Sequence, residues 1–143
     1  MATASPHVTQ VRIPLRYRDI DTLGHLNQSV YHVMLEEARV AFILDVLQRQ
    51  LGAFVLARVE IDYRHEVRLQ DREVVIDTQI ERVGSSSVSL RSRISTPDGT
   101  LAAEAVTVLV AWDPEQRGAR KLGEEERRIL TAATGAPAAD AQA

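Results

Sequence analysis

No cysteine occurs among the 143 residues. Disulfides, a thiolate nucleophile and cysteine-ligated zinc are therefore excluded. No apolar run approaches the ~20 residues that cross a bilayer. The start, MATASPHVTQ, lacks the basic and apolar stretches of a secretory leader. A cytoplasmic protein is the expectation. A basic excess is also missing: the net charge is −3, which argues against a nucleic-acid partner and against docking on an anionic membrane. Local basic patches remain available to a phosphate-bearing ligand. The four histidines, His7, His25, His32 and His65, show no ligand spacing such as HExxH, so no metal site is expected. There is no internal repeat.

The length suits one domain with a genuine core. Apolar residues at 45% and charged residues at 26% are an ordinary globular balance. From Val8 the pattern alternates: Val11, Ile13, Leu15 and Tyr17 share one face, Arg12, Arg16 and Arg18 the other. This predicts a half-buried strand, with Pro14 marking an edge or a bulge because it has no N–H to donate. Residues 19–24 read as a loop. A helix follows over about Gln28 to Leu51, closed by Gly52 as a C′ residue. Its apolar residues cover most of the circumference, which predicts burial on more than one side. Glu36, Arg39, Gln48 and Arg49 mark its wet surface.

Four more strands are expected. Val55, Ala57, Val59, Ile61 and Tyr63 oppose Arg58, Glu60, Asp62 and Arg64. Val74, Ile76 and Ile80 oppose Glu73, Asp77, Gln79 and Glu81. Val88, Leu90 and Ile94 oppose Ser87, Ser89, Arg91 and Arg93. The last, Leu101 to Trp112, is apolar on both registers and so central or covered on both faces. Pro97-Asp98-Gly99 is a hairpin turn. A short charged helix over about Glu124 to Ala133 and a disordered tail from 135 to 143 complete the chain, with residues 1–7 a loose start and 8–134 the domain. The reading is α+β: a five-stranded antiparallel sheet wrapped around one long central helix. The other sheet face is partly apolar and invites a second copy.

The chemistry concentrates in Asp19-Ile-Asp21-Thr-Leu-Gly24-His25-Leu-Asn27-Gln-Ser-Val-Tyr31. Two acids, a glycine, a histidine and an asparagine sit between a strand end and a helix start. Unpaired N–H groups at a helix start carry partial positive charge and stabilise a developing oxyanion. Gly24 lets backbone approach a ligand, and a carboxylate within reach attacks a carbonyl or activates water. The same residue types are also common turn and capping residues, and spacing alone leaves both readings open.

The pattern Asp-x-Asp-x-x-Gly-His-x-Asn, followed by Tyr31 and Glu36-Glu37-Ala38-Arg39, resembles the signature of the hotdog-fold acyl-CoA thioesterases, in particular the 4-hydroxybenzoyl-CoA thioesterase and YbgC-like group. The similarity runs from about Val11 to Trp112. It implies cleavage of an acyl-CoA to a carboxylic acid and CoA, with Asp21 as nucleophile or general base and Asp19 in a structural role. Backbone between Gly24 and Tyr31 would polarise the carbonyl. His25 would orient Asp21 or contact substrate, or else simply brace the loop. Tyr17 matches an aromatic seen before the motif and, as the last inward residue of strand one, is expected in the core. Asn27 and Tyr31 would hold the loop and meet substrate. Some relatives carry a functional histidine where this chain has Gln28. CoA would lie near Arg64, Ser86, Ser87 and Arg91, with Arg68 and Arg93 as further cations. Glu36 and Glu37, two to three turns into the helix, are read as structural, paired with Arg39. CoA is part of the substrate, and no separate cofactor is expected. A homodimer or homotetramer is implied, with active sites near the interface. Two competitors remain at this point: a hotdog hydratase or dehydratase on enoyl or 3-hydroxyacyl thioesters, and a non-catalytic acyl-CoA or acyl-carrier-protein binding module.

Overall fold

Alternating apolar and polar residues assemble into one antiparallel sheet, and the long apolar segment lies in its concave face. The computed structural model describes residues 5–48 and 53–135. The elements are β1 (Thr9–Pro14), α1 (Gln28–Leu47), β2 (Phe54–Tyr63), β3 (Glu73–Val83), β4 (Ser87–Ser95), β5 (Leu101–Asp113), β6 (Gly118–Ala119) and α2 (Glu124–Ala133). Sheet order is β1-β3-β4-β5-β2, with the two-residue β6 added against the end of β5. The expected α+β architecture, five curled strands around one long helix, is therefore present.

The inner face of the sheet carries Val74, Ile76 and Ile80 from β3, Val88, Leu90 and Ile94 from β4, and Ala103, Ala105, Leu109 and Ala111 from β5. The alanines of β5 leave room for Met34, Leu35, Ala38, Phe42 and Leu47 of α1. Each large side chain fully removed from water contributes about 1.5–3 kcal/mol, so this seam dominates the stability of the fold. β5 is internal, as its two apolar registers require. β1 is an edge, where the missing N–H of Pro14 breaks no ladder on its outer side.

Several expectations need correction. Strand one ends at Pro14; Leu15 N–H bonds to Arg72 O at 2.8 Å, and Tyr17–Asp19 form a 3-10 turn. Tyr17 is thus 86% exposed, not core. In β2 the pairing with β5 slips between Leu56 and Arg58. This bulge puts Val55 opposite Val110 on the outer face, while Phe54 and Leu56 join Val59, Ile61 and Tyr63 on the inner one. α1 ends at Leu47, and Gln48, at φ 53°, turns the chain away. The expected terminus at Leu51 and Gly52, and Arg49 with it, lie outside the described residues, as do residues 1–4 and 136–143. His7, assigned to the loose start, is fastened: its N–H reaches Ala133 O at 2.9 Å and its ring meets Asp45 at 2.6 Å.

α1 is not covered all round within one chain. Val33, Val40 and Leu44 are about half exposed. Arg39, expected on the wet side, is only 9% exposed. It makes no ion pair with Glu36 or Glu37 and no hydrogen bond among the described residues. It sits in a groove of about 480 Å³ between α1 and β2, walled by Val40, Ile43, Phe54, Leu56 and Leu109. α2 is amphipathic rather than merely charged: Leu130 is fully buried. Its first turn is locked by Glu126, which accepts two hydrogen bonds from Arg120 at 2.7 and 3.0 Å and one from Gly123 N–H at 2.9 Å.

Candidate active site

Past the 3-10 turn the chain makes a miniature hairpin, in which Ile20 and Leu26 form an antiparallel bridge. Asp21 N–H bonds to His25 O at 3.0 Å, and Gly24 N–H bonds to Asp21 O at 3.0 Å. Asp21 Oδ1 accepts Leu23 N–H at 2.9 Å. Gly24 occupies φ +84°, a conformation that costs an L side chain energy, and this lets the turn close in so few residues. The base of the hairpin is held by two backbone bonds, one local and one long-range: Asn27 N–H to Asp19 O at 2.9 Å, and Leu26 N–H to Val67 O at 2.7 Å.

The two acids have different surroundings. Asp19 is 2% exposed and accepts Arg16 N–H at 2.8 Å, Nη2 at 3.1 Å and Nε at 3.4 Å. Burial pushes its carboxyl up. The Arg16 hydrogen bonds and the charges of Arg16 and Arg18 outweigh that and hold it below the ordinary carboxylate range. Asp21 is less enclosed. One of its oxygens braces the turn through Leu23; the other, Oδ2, takes no hydrogen bond among the described residues and faces the His25 ring, with Nδ1 at 3.9 Å. That nitrogen is also 3.4 Å from Leu26 O, so His25 stands between the loop backbone and the carboxylate.

Asn27 caps α1: its Oδ1 accepts Ser29 N–H at 3.0 Å and Ser29 Oγ at 3.1 Å. Asn27 O takes Val30 N–H at 3.0 Å. Of the first-turn donors, the N–H of Gln28 keeps no partner among the described residues. A cavity of about 460 Å³ opens over this point, lined by Asp21, His25, Gln28, Tyr31, Tyr63, Arg64 and His65 among others. Asp21 also borders a second hollow of about 710 Å³, with Tyr17, Gly24, Asn27 and Leu69. The Tyr31 ring stands edge-on to that of Tyr63, centroids 5.0 Å apart at 85°. Burial, then the neighbouring Tyr63, pushes the Tyr31 hydroxyl up to about 12; burial alone raises that of Tyr63.

The structure thus gathers Asp21, Gly24, His25, Asn27, Tyr31, Tyr17 and Arg64 around one loop. It does not bring Ser86, Ser87 and Arg91 there. Arg64 N–H bonds to Ala102 O, whereas Ser87 lies opposite Val110 on the same strand, about 26 Å farther along at ~3.3 Å per residue. Arg91 is engaged by Glu81 and Glu104. Within one chain Ser87 and Arg64 cannot grip one phosphate, whereas Arg91 and Arg64 flank the same Glu104 carboxylate. Glu36 and Glu37 border the helix grooves and not the Asp21 cavity. Sequence reasoning missed Tyr63 and His65 as neighbours of Asp21. The Leu26–Val67 bond is what carries the residue 63–66 segment to the loop, and no short-range spacing encodes it. Among the described residues no three His, Asp or Glu side chains converge as a metal site, and no helix is long and apolar enough to cross a membrane.

Comparison with known proteins bears on this geometry. A family model described as the thioesterase-like superfamily matches residues 15–140. The long-chain acyl-CoA thioesterase FadM of Escherichia coli K12 is 30% identical over 127 residues, covering 85% of this chain and 96% of FadM. The acyl-CoA thioester hydrolase YbgC of Escherichia coli O157:H7 is 29% identical over 124 residues, covering 81% and 92%. A crystal structure of a thioesterase complexed with coenzyme A and Zn from Thermus thermophilus superposes with a TM-score of 0.78 at 30% identity, covering 90% of this chain and 95% of that one.

Proposed function

This chain belongs to the thioesterase-like superfamily and is a thioester hydrolase, and from that premise we propose that it cleaves acyl-CoA with Asp21 as the catalytic carboxylate. The observation that carries the reading is that Asp21, whose Oδ2 accepts no hydrogen bond among the described residues, and Gln28, whose N–H has no partner among them, line the same cavity at the start of α1. The amide polarises the thioester carbonyl and receives the charge that develops on its oxygen. The carboxylate then supplies one of two things. As nucleophile, Oδ2 bonds to the carbonyl carbon, CoA leaves as its thiolate, and water cleaves the resulting mixed anhydride. As base, Oδ2 takes a proton from water, the hydroxide adds to the carbon, and that proton passes to the departing sulfur. Either route gives a carboxylic acid and CoA.

His25, with its ring 3.9 Å from Oδ2, fixes the direction in which the carboxylate points. Arg64 at the rim is only loosely paired, 3.9 Å from both Asp62 and Glu104, and suits a CoA phosphate. Tyr17, exposed beside the second hollow, and Asn27 contact the substrate from the loop side. The chain needs no cofactor for this chemistry.

The acting unit is a homo-oligomer built on a dimer. The second copy covers α1 and the open edge strand β2 rather than the outer sheet face, where Arg91, Glu81 and Glu104 already pair. Val33, Val40 and Leu44 provide the apolar contact. The exposed Glu36 or Glu37 of one copy offers Arg39 of the other the close ion pair that Arg39 does not make with the nearby Glu36 of its own chain.

The test is Asp21→Asn, assayed by thiol release from a panel of aromatic and aliphatic acyl-CoAs. Turnover falls by about 10²–10⁴-fold, the usual contribution of such a group. Undiminished turnover in a folded variant overturns the assignment. Single turnover in H₂¹⁸O tests the anhydride route: label recovered in Asp21 establishes it, because water adding to the Asp21 carbon of the anhydride leaves its oxygen there, which the base route cannot do.

A further inference from the structure

Tyr31 is 4% exposed, yet its ring borders the Asp21 cavity. Its hydroxyl makes no hydrogen bond with any described residue. It is not walled into the core either: among the described residues, Thr107 Oγ1 is the buried side-chain atom that is both sealed and unbonded. The open side of the Tyr31 hydroxyl is therefore the cavity. Long side chains on a helix lean toward its N-terminus, and the phenol, rooted one turn into α1, shares its cavity with Gln28 at that terminus and with Asp21. Tyr63, packed edge-on at 5.0 Å, holds the ring in that direction from the end of β2. Burial pushes the phenol up to about 12, so it holds its proton around neutral pH.

We propose that the Tyr31 hydroxyl is a second oxyanion donor, hydrogen-bonded to the thioester carbonyl oxygen beside the Gln28 N–H. This rests on the reading of Asp21 given above. When Asp21 or water adds to the carbonyl carbon, the π electron pair moves onto that oxygen and two donors share the charge instead of one. The charge returns to re-form the carbonyl as the carbon–sulfur bond breaks and CoA leaves. Tyr31 keeps its proton throughout, so it changes the barrier and not the stoichiometry. Two fixed donors also define where the carbonyl oxygen sits, which aims the carbon at Asp21.

Tyr31→Phe removes one oxygen and leaves the ring contact with Tyr63 in place. The expected result is a fall in kcat of about 10²-fold, the effect of losing one such donor, with KM within threefold and an unchanged thermal midpoint. A kcat within twofold of wild type, or a loss confined to KM, overturns the proposal. Tetrafluorotyrosine at position 31 repeats the test where Phe fails to fold: kcat must then decline as that more acidic phenol ionises, and a flat pH profile overturns the proposal. Asp21→Asn in parallel keeps the two readings apart. A wild-type protein inert on every acyl-CoA removes the Asp21 reading itself. An active wild type, an inactive Asp21→Asn and a fully active Tyr31→Phe remove only the donor role of Tyr31.

Discussion

Asp19→Asn tests whether the buried acid of the loop is structural while its neighbour two residues on is chemical. In the wild type, Asp19 Oδ2 holds Arg16 N–H and Nε, and Oδ1 holds Nη2. Asparagine keeps one acceptor but turns an NH₂ group toward the guanidinium, donor against donor. A lost charge-assisted bond costs about 1.5–3 kcal/mol. The Arg16 side chain is half exposed, so water screens part of that, and a neutral amide costs less to bury than a carboxylate. The net is about 1.5 kcal/mol, or a fall of about 3–6 °C in thermal midpoint for a chain of this size. The pH dependence has a definite sign. Asp19 is held below its ordinary value of 3.8 in the fold, so its contribution is complete above that value and disappears as the pH falls through the lower, folded one. Melts followed by circular dichroism should show a constant gap between wild type and variant from pH 5.5 to 8, closing below pH 4. Turnover stays near wild type, since the carboxylate faces Arg16 and not the cavity. Equal midpoints at neutral pH, or a gap undiminished in acid, would refute the reasoning.

Thr107 points into the core with its hydroxyl sealed and unbonded. Thr107→Val, nearly the same shape, should raise the urea midpoint by about 1 kcal/mol of stability at unchanged m; a lower midpoint would mean that the hydroxyl has a partner after all. Sedimentation equilibrium should give a mass of at least two chains for the wild type. Arg39→Glu, which sets a further acid beside Glu36, should weaken association at least tenfold in a folded monomer. A monomeric wild type at working concentration removes the proposed interface.

The strands were legible because each buries one face, so the period of two survives in the sequence. Val74, Ile76 and Ile80 are an example. The 3-10 turn at Tyr17–Asp19 was not legible, since Arg16-Tyr17-Arg18 continues the alternation and only the Asp19–Arg16 contacts end it. The bulge at Ala57 was equally hidden: an extra residue in an edge strand leaves hydrophobicity unchanged and flips everything before it. The departure from helical conformation at Gln48, φ 53°, was not legible, because no Gly or Pro marks that position. At the site, the local part was readable. Asp21, Gly24, His25 and Asn27 lie within one short segment whose turn and cap chemistry is encoded residue by residue. Tyr63, Arg64 and His65 join it only through tertiary pairing, and of these the family resemblance supplied Arg64 alone. Arg39 looked like a surface charge because helical periodicity records which residues share a face and not how deep a partly covered face lies.

The bond from Leu26 to the carbonyl of Val67 joins two stretches that evolution can edit separately. The connection from Tyr63 to Glu73 forms part of the wall facing the reacting group, and this backbone link moors it to that group's own hairpin. Lengthening or shortening it would remodel the chamber's mouth while leaving Asp21 in place. A lineage could in this way change which molecules enter without relearning how to cut them.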